Sequence, residues 1–356
     1  MSNITLLPLT ALALAAPSAL AAPVPTPNYH LLQKVTLGGE GRWDYLTVDP
    51  AARRIYISRS SHVMVVDADT YKIVGDIPNT NGVHGIAIAP ELGRGFTSNG
   101  SSNSVTIFDL KTLKTLRTVA VGNGPDCIVY EPKTRRVFTF NGRSNDPAAS
   151  DAKSDATVVD AKTGKVVGTI VLGGRPEYAV VDGAGMVYDN IETTSEVVAI
   201  DAGTLTIKKR WSVAPAKSPS GIAMDTRTRR LFSTCDGNKM AISDPDAGKV
   251  VTTASIGNGP DAAAFDPGTG LAFSSNGEDG TLTTLAQYMM FVGHSRIEEC
   301  IPFQTVKTQA GARTMALDTK THRIFLVTAT PDPVNPGEGF RRNFVPGSFT
   351  LLVVGP

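Results

Sequence analysis

A chain of 356 residues with 41% hydrophobic content can bury a full core, as one large domain or two ordinary ones. Its 34 Lys and Arg almost balance 33 Asp and Glu, so no excess of positive charge marks a binder of nucleic acid or anionic membrane. Three cysteines, Cys127, Cys235 and Cys300, make an odd set without metal-type spacing, which excludes an encoded disulfide framework and leaves stability to packing.

The chain opens MSNITLLPLTALALAAPSALAAPVPTPN, an apolar run followed by Ala19-Leu20-Ala21, a small-x-small site suited to a signal peptidase. Residues 1–21 are therefore expected to be a secretion signal that sends the mature chain to the periplasm or outside the cell, although no Lys or Arg opens the segment. Prolines at 8 and 17 interrupt a run too short to span a bilayer, so no transmembrane segment is expected in the mature chain. A short linker, 22–30, leads into one domain over 31–356.

That domain repeats itself. After a strand at LLQKVTL (31–37) come seven related windows: RWDYLTVDP (42–50), GVHGIAIAP (82–90), GPDCIVYEP (124–132), RPEYAVVDG (175–183), SPSGIAMDT (218–226), GPDAAAFDP (259–267) and GARTMALDT (311–319). Each places a polar residue before an alternating, mostly apolar strand and a turn. A second strand follows (RRIYIS, GRGFTS, RRVFTF, RRLFST, LAFSS, HRIFLV), then a third ending near an Asp (HVMVVDA, SVTIFDL, ATVVDA, EVVAIDA, KMAISDP), then a short fourth (KIVGDI, KTLRTVAV, KVVGTIVL). Four short strands in units of about 42 residues, seven times over, predict an all-β, seven-bladed β-propeller. A solenoid of β-turns fits four distinct strands per repeat less well. The last unit supplies only three strands before the chain ends, so the strand at 31–37 is expected to complete that blade and close the ring as a monomer without an open edge.

With the second-strand endings TSNG (97–100), TFNG (139–142) and SSNG (274–277), the units resemble the YVTN-repeat, YncE-like family of secreted seven-bladed propellers over residues 30–355. The resemblance implies that fold. It implies chemistry only loosely, because proteins of this architecture include binding, surface and dehydrogenase-subunit members. PAASDAKSD in blade three and QYMMFVGHSRIEECIPF in blade six depart from the family spacing.

In a propeller the first strand of each blade lines the central channel, so its starting residues form a ring at one mouth: Asp44, His84, Asp126, Glu177, Ser220, Asp261 and Arg313. The pentapeptide GNGPD, present at 122–126 and 257–261, delivers the acids of blades three and six to it. Strand two returns to the same mouth, and a step of 15 gives a second ring of Arg59, Asn99, Asn141, Cys235, Asn276 and Thr328, with Asn190 at 13 in blade four. These side chains suit bonding to loop backbone or contact with a polar ligand. The insertions at 143–156 and 331–346 join strands two and three at this mouth, where binding loops tend to grow, and the blade-six insertion at 287–303 belongs to the opposite face.

Arg313 between Asp261 and Asp44 predicts an ion-pair arc, and His84, Asp126 and Glu177 on consecutive blades predict a site for Ca²⁺ or, through His84, a transition metal. A water-filled channel with solvated acids is the plainer expectation. Ser220 with His84 and Asp126 does not make a serine hydrolase, because blades two and five face each other across the channel and no GxSxG elbow occurs. His294 beside Met289, Met290 and Cys300 reads as an irregular apolar loop rather than a soft-metal site. Arg-Arg steps at 53–54, 135–136 and 229–230 read as solvated charge on the far face, with a nucleic-acid patch as the minor reading, since some YncE-like relatives bind DNA. The function expected is recognition of a small polar ligand or a protein partner at the mouth. A metal-assisted hydrolase, as in lactonase-type propellers with six blades, and a redox-partner subunit are the enzymatic alternatives.

Overall fold

The structure, a computed structural model, describes residues 27–142, 151–292, 295–335 and 343–356. The segment expected to be a secretion signal, most of the expected linker, parts of the loops at 143–156 and 331–346, His294, and the side chains of Met289 and Met290 lie outside the described residues.

Apolar residues occupy both faces of the inner strands, and both faces are covered. Ile55–Ser58 and Val63–Val66 are buried without a break, the pattern of strands sandwiched between two other layers. Alternation divides them. Ile55 and Ile57 pack with Phe325 and Val353 at one side, while Tyr56 from the same strand packs with Ile86 and Phe108 at the other. The same division is made by Phe138 and Phe140 against Val137 in the third unit. Each of the seven apolar clusters bridges two neighbouring sheets, so the core is a ring of sheet-to-sheet interfaces.

The sheets are seven antiparallel four-stranded blades. Their first strands are Leu46–Asp49, Val83–Ala89, Pro125–Glu131, Pro176–Val181, Lys217–Asp225, Pro260–Asp266 and Met315–Asp318, and each lies against the first strands of its two neighbours, the seventh against the first. The chain is a seven-bladed β-propeller. Its last blade runs outward from Met315–Asp318 through Arg323–Thr328 and Thr350–Gly355 to His30–Thr36, the N-terminal strand expected to close it. Closure is by hydrogen bonding between the two ends of the chain, which leaves no blade incomplete.

The blade-six insertion lies between strands three and four, on the face away from the ring. It is not an irregular loop: Thr281–Val292 and Ser295–Lys307 pair continuously from Gln287 with Cys300 to Val292 with Ser295. Tyr, Phe, Val and Ile in this stretch favour a pleated, paired backbone, so the hairpin grows out of the blade.

All three cysteines are free and buried. Burial pushes the Cys235 and Cys300 thiols up to about 12, which keeps them unreactive.

Candidate functional site at the channel mouth

The turns that feed the ring are built from backbone conformations that favour glycine. Gly124 and Gly259 of the two GNGPD copies have φ of 57° and 62°, and Pro125 and Pro260 begin the strands that follow. In blades two to six the pairing of strands one and two then slips, between Val83 and Ile86, Pro125 and Ile128, Pro176 and Ala179, Pro219 and Ile222, and Pro260 and Ala263. The ring residue and its successor sit inside this bulge, which re-aims side chains relative to a regular strand.

A row of hydroxyls fixes the bulges. Ser58 Oγ accepts from the Asp44 amide at 2.9 Å, Ser98 from Gly85 at 2.8 Å, Thr234 from Gly221 at 2.9 Å and Ser275 from Ala262 at 3.3 Å. Three of them also donate to the ring carbonyl of the next blade: Ser98 to Asp126, Thr234 to Asp261 at 3.2 Å and Ser275 to Arg313. Asn190 does the same in blade four, donating to Ser220 and Gly221 at 2.9 and 3.0 Å. Ring positions are thus tied from blade to blade. A column of Ser and Thr 14 residues after the ring was the sequence signal for this row.

The ring itself is a set of close charges. Arg313 donates to Asp261 at 2.6 Å and to Asp44 at 3.3 Å, which is the predicted arc. His84 Nδ1 lies 2.6 Å from Asp44 Oδ2, where it donates to the carboxylate, and 3.4 Å from Asp126 Oδ1. Asp44, His84 and Asp126 each offer a ligand atom within 4.8 Å of the others. Glu177 does not join this group; Arg175 Nε stands 3.8 Å from its Oε1. The acids are not freely solvated, with side-chain exposure of 12% for Asp44, 2% for Asp126 and 10% for Glu177. Ser220 Oγ bonds the Asp261 carbonyl at 3.0 Å and Thr234 Oγ1 at 3.2 Å, so its hydroxyl serves the backbone.

Below the ring the channel is stoppered. Tyr45 and Tyr178, each the residue after a ring acid, meet with ring centroids 4.2 Å apart although their blades are three places apart around the ring. Such a contact can only be made across the axis. Tyr178 also packs against the clusters of blades three and four, four and five, and six and seven. Burial, then Asp126 for Tyr45 and Asp261 for Tyr178, raises both phenols well above their ordinary range, so both stay neutral. The mouth is therefore blind, closed beneath the ring by an aromatic floor. RWDY and RPEY share the motif, but nothing in the repeats says that the two tyrosines touch.

Beneath Glu177, Asp189 is wholly buried with both carboxylate oxygens lacking a hydrogen-bond partner, and burial followed by the Glu177 charge lifts its pKa well above the carboxylate range.

The second ring lies inside the blades. Asn99 Nδ2 donates to Ser104 and Thr106, Asn141 to Asp155 and Thr157, and Asn276 to Thr281 and Thr283, all in strand three of the same blade rather than in loop backbone. Asn190 belongs to the hydroxyl row instead: Pro176 pairs with Ile191 as Pro125 pairs with Asn141, so the blade-four turn is shorter by one residue, not two. Cys235 is buried and Thr328 Oγ1 donates to Ala310 at 2.9 Å. Arg59, 1% exposed, lies over the Phe349 ring at 3.6 Å and donates to the carbonyls of Gly38, Glu40 and Gly41. Burial pushes its guanidinium down to about 10, still charged at neutral pH.

In the Arg-Arg steps, Arg135 is exposed and the other five arginines are engaged. Arg53 pairs with Asp69 and Asp318, Arg229 with Asp246 and Asp182, and Arg230 with Glu298. Arg54 and Arg136 reach across to the turns of the next blade, at Leu110 and Gly203. His322 contacts Asp266 at 2.7 Å and His62 stands 3.6 Å from Asp76, both on charges outside the ring.

No family model matches this chain and no curated protein does. Among solved structures it is similar to hydrazine synthase of Kuenenia stuttgartiensis, with TM-score 0.67 and 15% identity over 87% of this chain and 94% of that one. It is also similar to a chain in a crystal structure of the mitotic checkpoint complex, with TM-score 0.69 and 13% identity over 98% of both chains. A structure of U3-55K superposes with TM-score 0.71 and 10% identity over 91% of this chain and 98% of that one. At these identities the likeness is one of fold.

Proposed function

We propose that this protein is a protein-binding module whose contact surface is the channel mouth. The observation that carries the reading is the blind, charged mouth: Asp44, His84, Asp126, Asp261 and Arg313 lie in contact with one another on an axis that the Tyr45–Tyr178 pair closes. A passage would need an open axis. A blind mouth ringed by fixed charges is instead suited to receiving a side chain from a partner, and the long strand-two-to-three connections leave Asn141 and Thr328 on the same face. One similar structure is titled as a complex, the mitotic checkpoint complex, which is in keeping with a propeller that works by contact.

With it we propose membership in the YncE-like family and secretion after removal of residues 1–21, which mass measurement of the mature N-terminus checks. The metal-assisted hydrolase is the second reading, favoured by the grouping of Asp44, His84 and Asp126. DNA binding loses its main support, because Arg53, Arg54, Arg136, Arg229 and Arg230 are held by Asp, Glu and backbone carbonyls.

A random-peptide display selection on the immobilised mature chain tests the binding reading. Selected peptides should lose at least about tenfold in affinity when Glu177→Lys or Asp261→Lys is introduced into a protein with an unchanged circular dichroism spectrum, a loss of about 1.4 kcal/mol. Peptides indifferent to both substitutions would place the contact surface elsewhere.

A further inference from the structure

We infer that the arc of blades one to three is a divalent transition-metal site, with Asp44, His84 and Asp126 as its protein ligands. The inference rests on the mouth-binding reading and adds an occupant for one part of it. Three features of the arc support it.

The donors come from three different blades yet lie within 4.8 Å of one another. Each is the ring residue of its blade, and two of the three, His84 and Asp126, are set inside bulges whose amides and carbonyls are tied by Ser98 to both blades. The backbone that carries the ligands is therefore held before any ion arrives, which lowers the ordering cost of binding.

The donor set selects the kind of ion. Two carboxylate oxygens with one imidazole nitrogen suit Zn²⁺ or Mn²⁺, whereas Ca²⁺ wants six or more oxygens and would gain little from His84. Around a four-coordinate ion with bonds of about 2.1 Å, ligand atoms stand roughly 3.4 Å apart. The His84–Asp126 separation is already 3.4 Å. The His84–Asp44 separation is 2.6 Å, so binding replaces that hydrogen bond: the Nδ1 proton leaves, Asp44 moves back, and the ion takes the space between them.

The position also leaves a coordination site for something else. Three protein ligands leave a fourth corner, which a water or a partner's side chain at the mouth would supply. The set differs from the His84, Asp126 and Glu177 triplet suggested by the repeats, because Glu177 stands beside Arg175.

The test uses the purified mature chain, stripped with chelator and dialysed. Titration with ZnCl₂ or MnCl₂ should show one equivalent bound by calorimetry and a saturable rise in Tm, CaCl₂ should give neither, and CoCl₂ should give visible d–d absorption of a nitrogen-oxygen site. His84→Gln and Asp126→Asn should each weaken Zn²⁺ binding at least about tenfold while the far-ultraviolet spectrum is kept. If His84→Gln does not fold, Asp44→Asn carries the same expectation. No binding by wild type, or binding equal in wild type and variants, overturns the site. With the peptide selection repeated on the stripped protein, a lost metal site with retained mouth-dependent peptides removes this inference alone, and the reverse removes the binding reading.

Discussion

The two faces of the propeller use carboxylates in opposite ways. On the face away from the ring, each acid at a strand end is held by its own turn: Asp49 accepts from the amides of Ala51 and Ala52, Asp67 from Asp69 and Thr70, Asp109 from Lys111 and Thr112, and Asp201 from Gly203 and Thr204. Arginines then link those turns between blades, as Arg53 links Asp69 to Asp318. At the mouth Asp44 is met by Arg313 and His84 of the two neighbouring blades, and Asp261 by Arg313. A carboxylate answered by its own backbone is a fastener. One answered by residues from other blades, as Asp44 and Asp261 are, depends on the ring being closed.

Breaking the mouth at its floor should give the largest effect. Tyr178→Ala removes the contact across the axis and is expected to cost about 4 kcal/mol, read as a fall in Tm, while Tyr178→Phe should be close to neutral because the phenol oxygen has no hydrogen-bond partner. A large loss with Phe would show that the hydroxyl, not the packing, holds the floor. Asp318→Asn tests the fastening face. It cuts a buried pair between blades seven and one at 2.7 Å and should cost about 3 kcal/mol in urea unfolding.

Asp189 sharpens the contrast from the mouth side, because its removal should help. Asp189→Ser installs the residue type found at the equivalent positions Ser233 and Ser274, and is expected to raise stability by about 2 kcal/mol at pH 7. The pH dependence has a definite sign. Burial raises the folded pKa of Asp189, so the folded state holds the proton that the unfolded state has lost; wild-type stability should fall as pH rises from about 4 toward that raised value, and Asp189→Ser should flatten the slope.

The smallest effect belongs to a turn acid, with the opposite sign. Hydrogen bonds from the Thr70 amide, and then its hydroxyl, hold Asp67 below the ordinary carboxylate pKa. Its contribution is present above about pH 4 and is lost as pH falls through the lowered folded value, so Thr70→Ala should reduce stability slightly at neutral pH and not in strong acid. Equal loss at both pH values would mean that the turn is held by something other than charge.

Much of this was legible in the repeats. Alternation and turn spacing are local properties, and they specified four strands per unit, seven units, the closing role of 31–37 and the membership of the first ring, down to the Arg313 arc with Asp261 and Asp44. The second ring was harder, because counting residues from one strand to the next fails when a turn changes length; one residue in blade four moved Asn190 into the hydroxyl row. Arg59 was misread for a related reason. Repeat position says where a backbone lies but not which way a long side chain turns, and this one turned onto Phe349 and the carbonyls of 38–41.

The sequence by itself determined the propeller, since each strand and turn is encoded within a few residues and the repeat forces the ring. Only the tertiary structure decided which ring residues meet, that Asp44 rather than Glu177 joins His84 and Asp126, and that two tyrosines close the axis. Those contacts join blades whose residues are far apart along the chain, and their distances depend on bulges, rotamers and ring closure that no local pattern records.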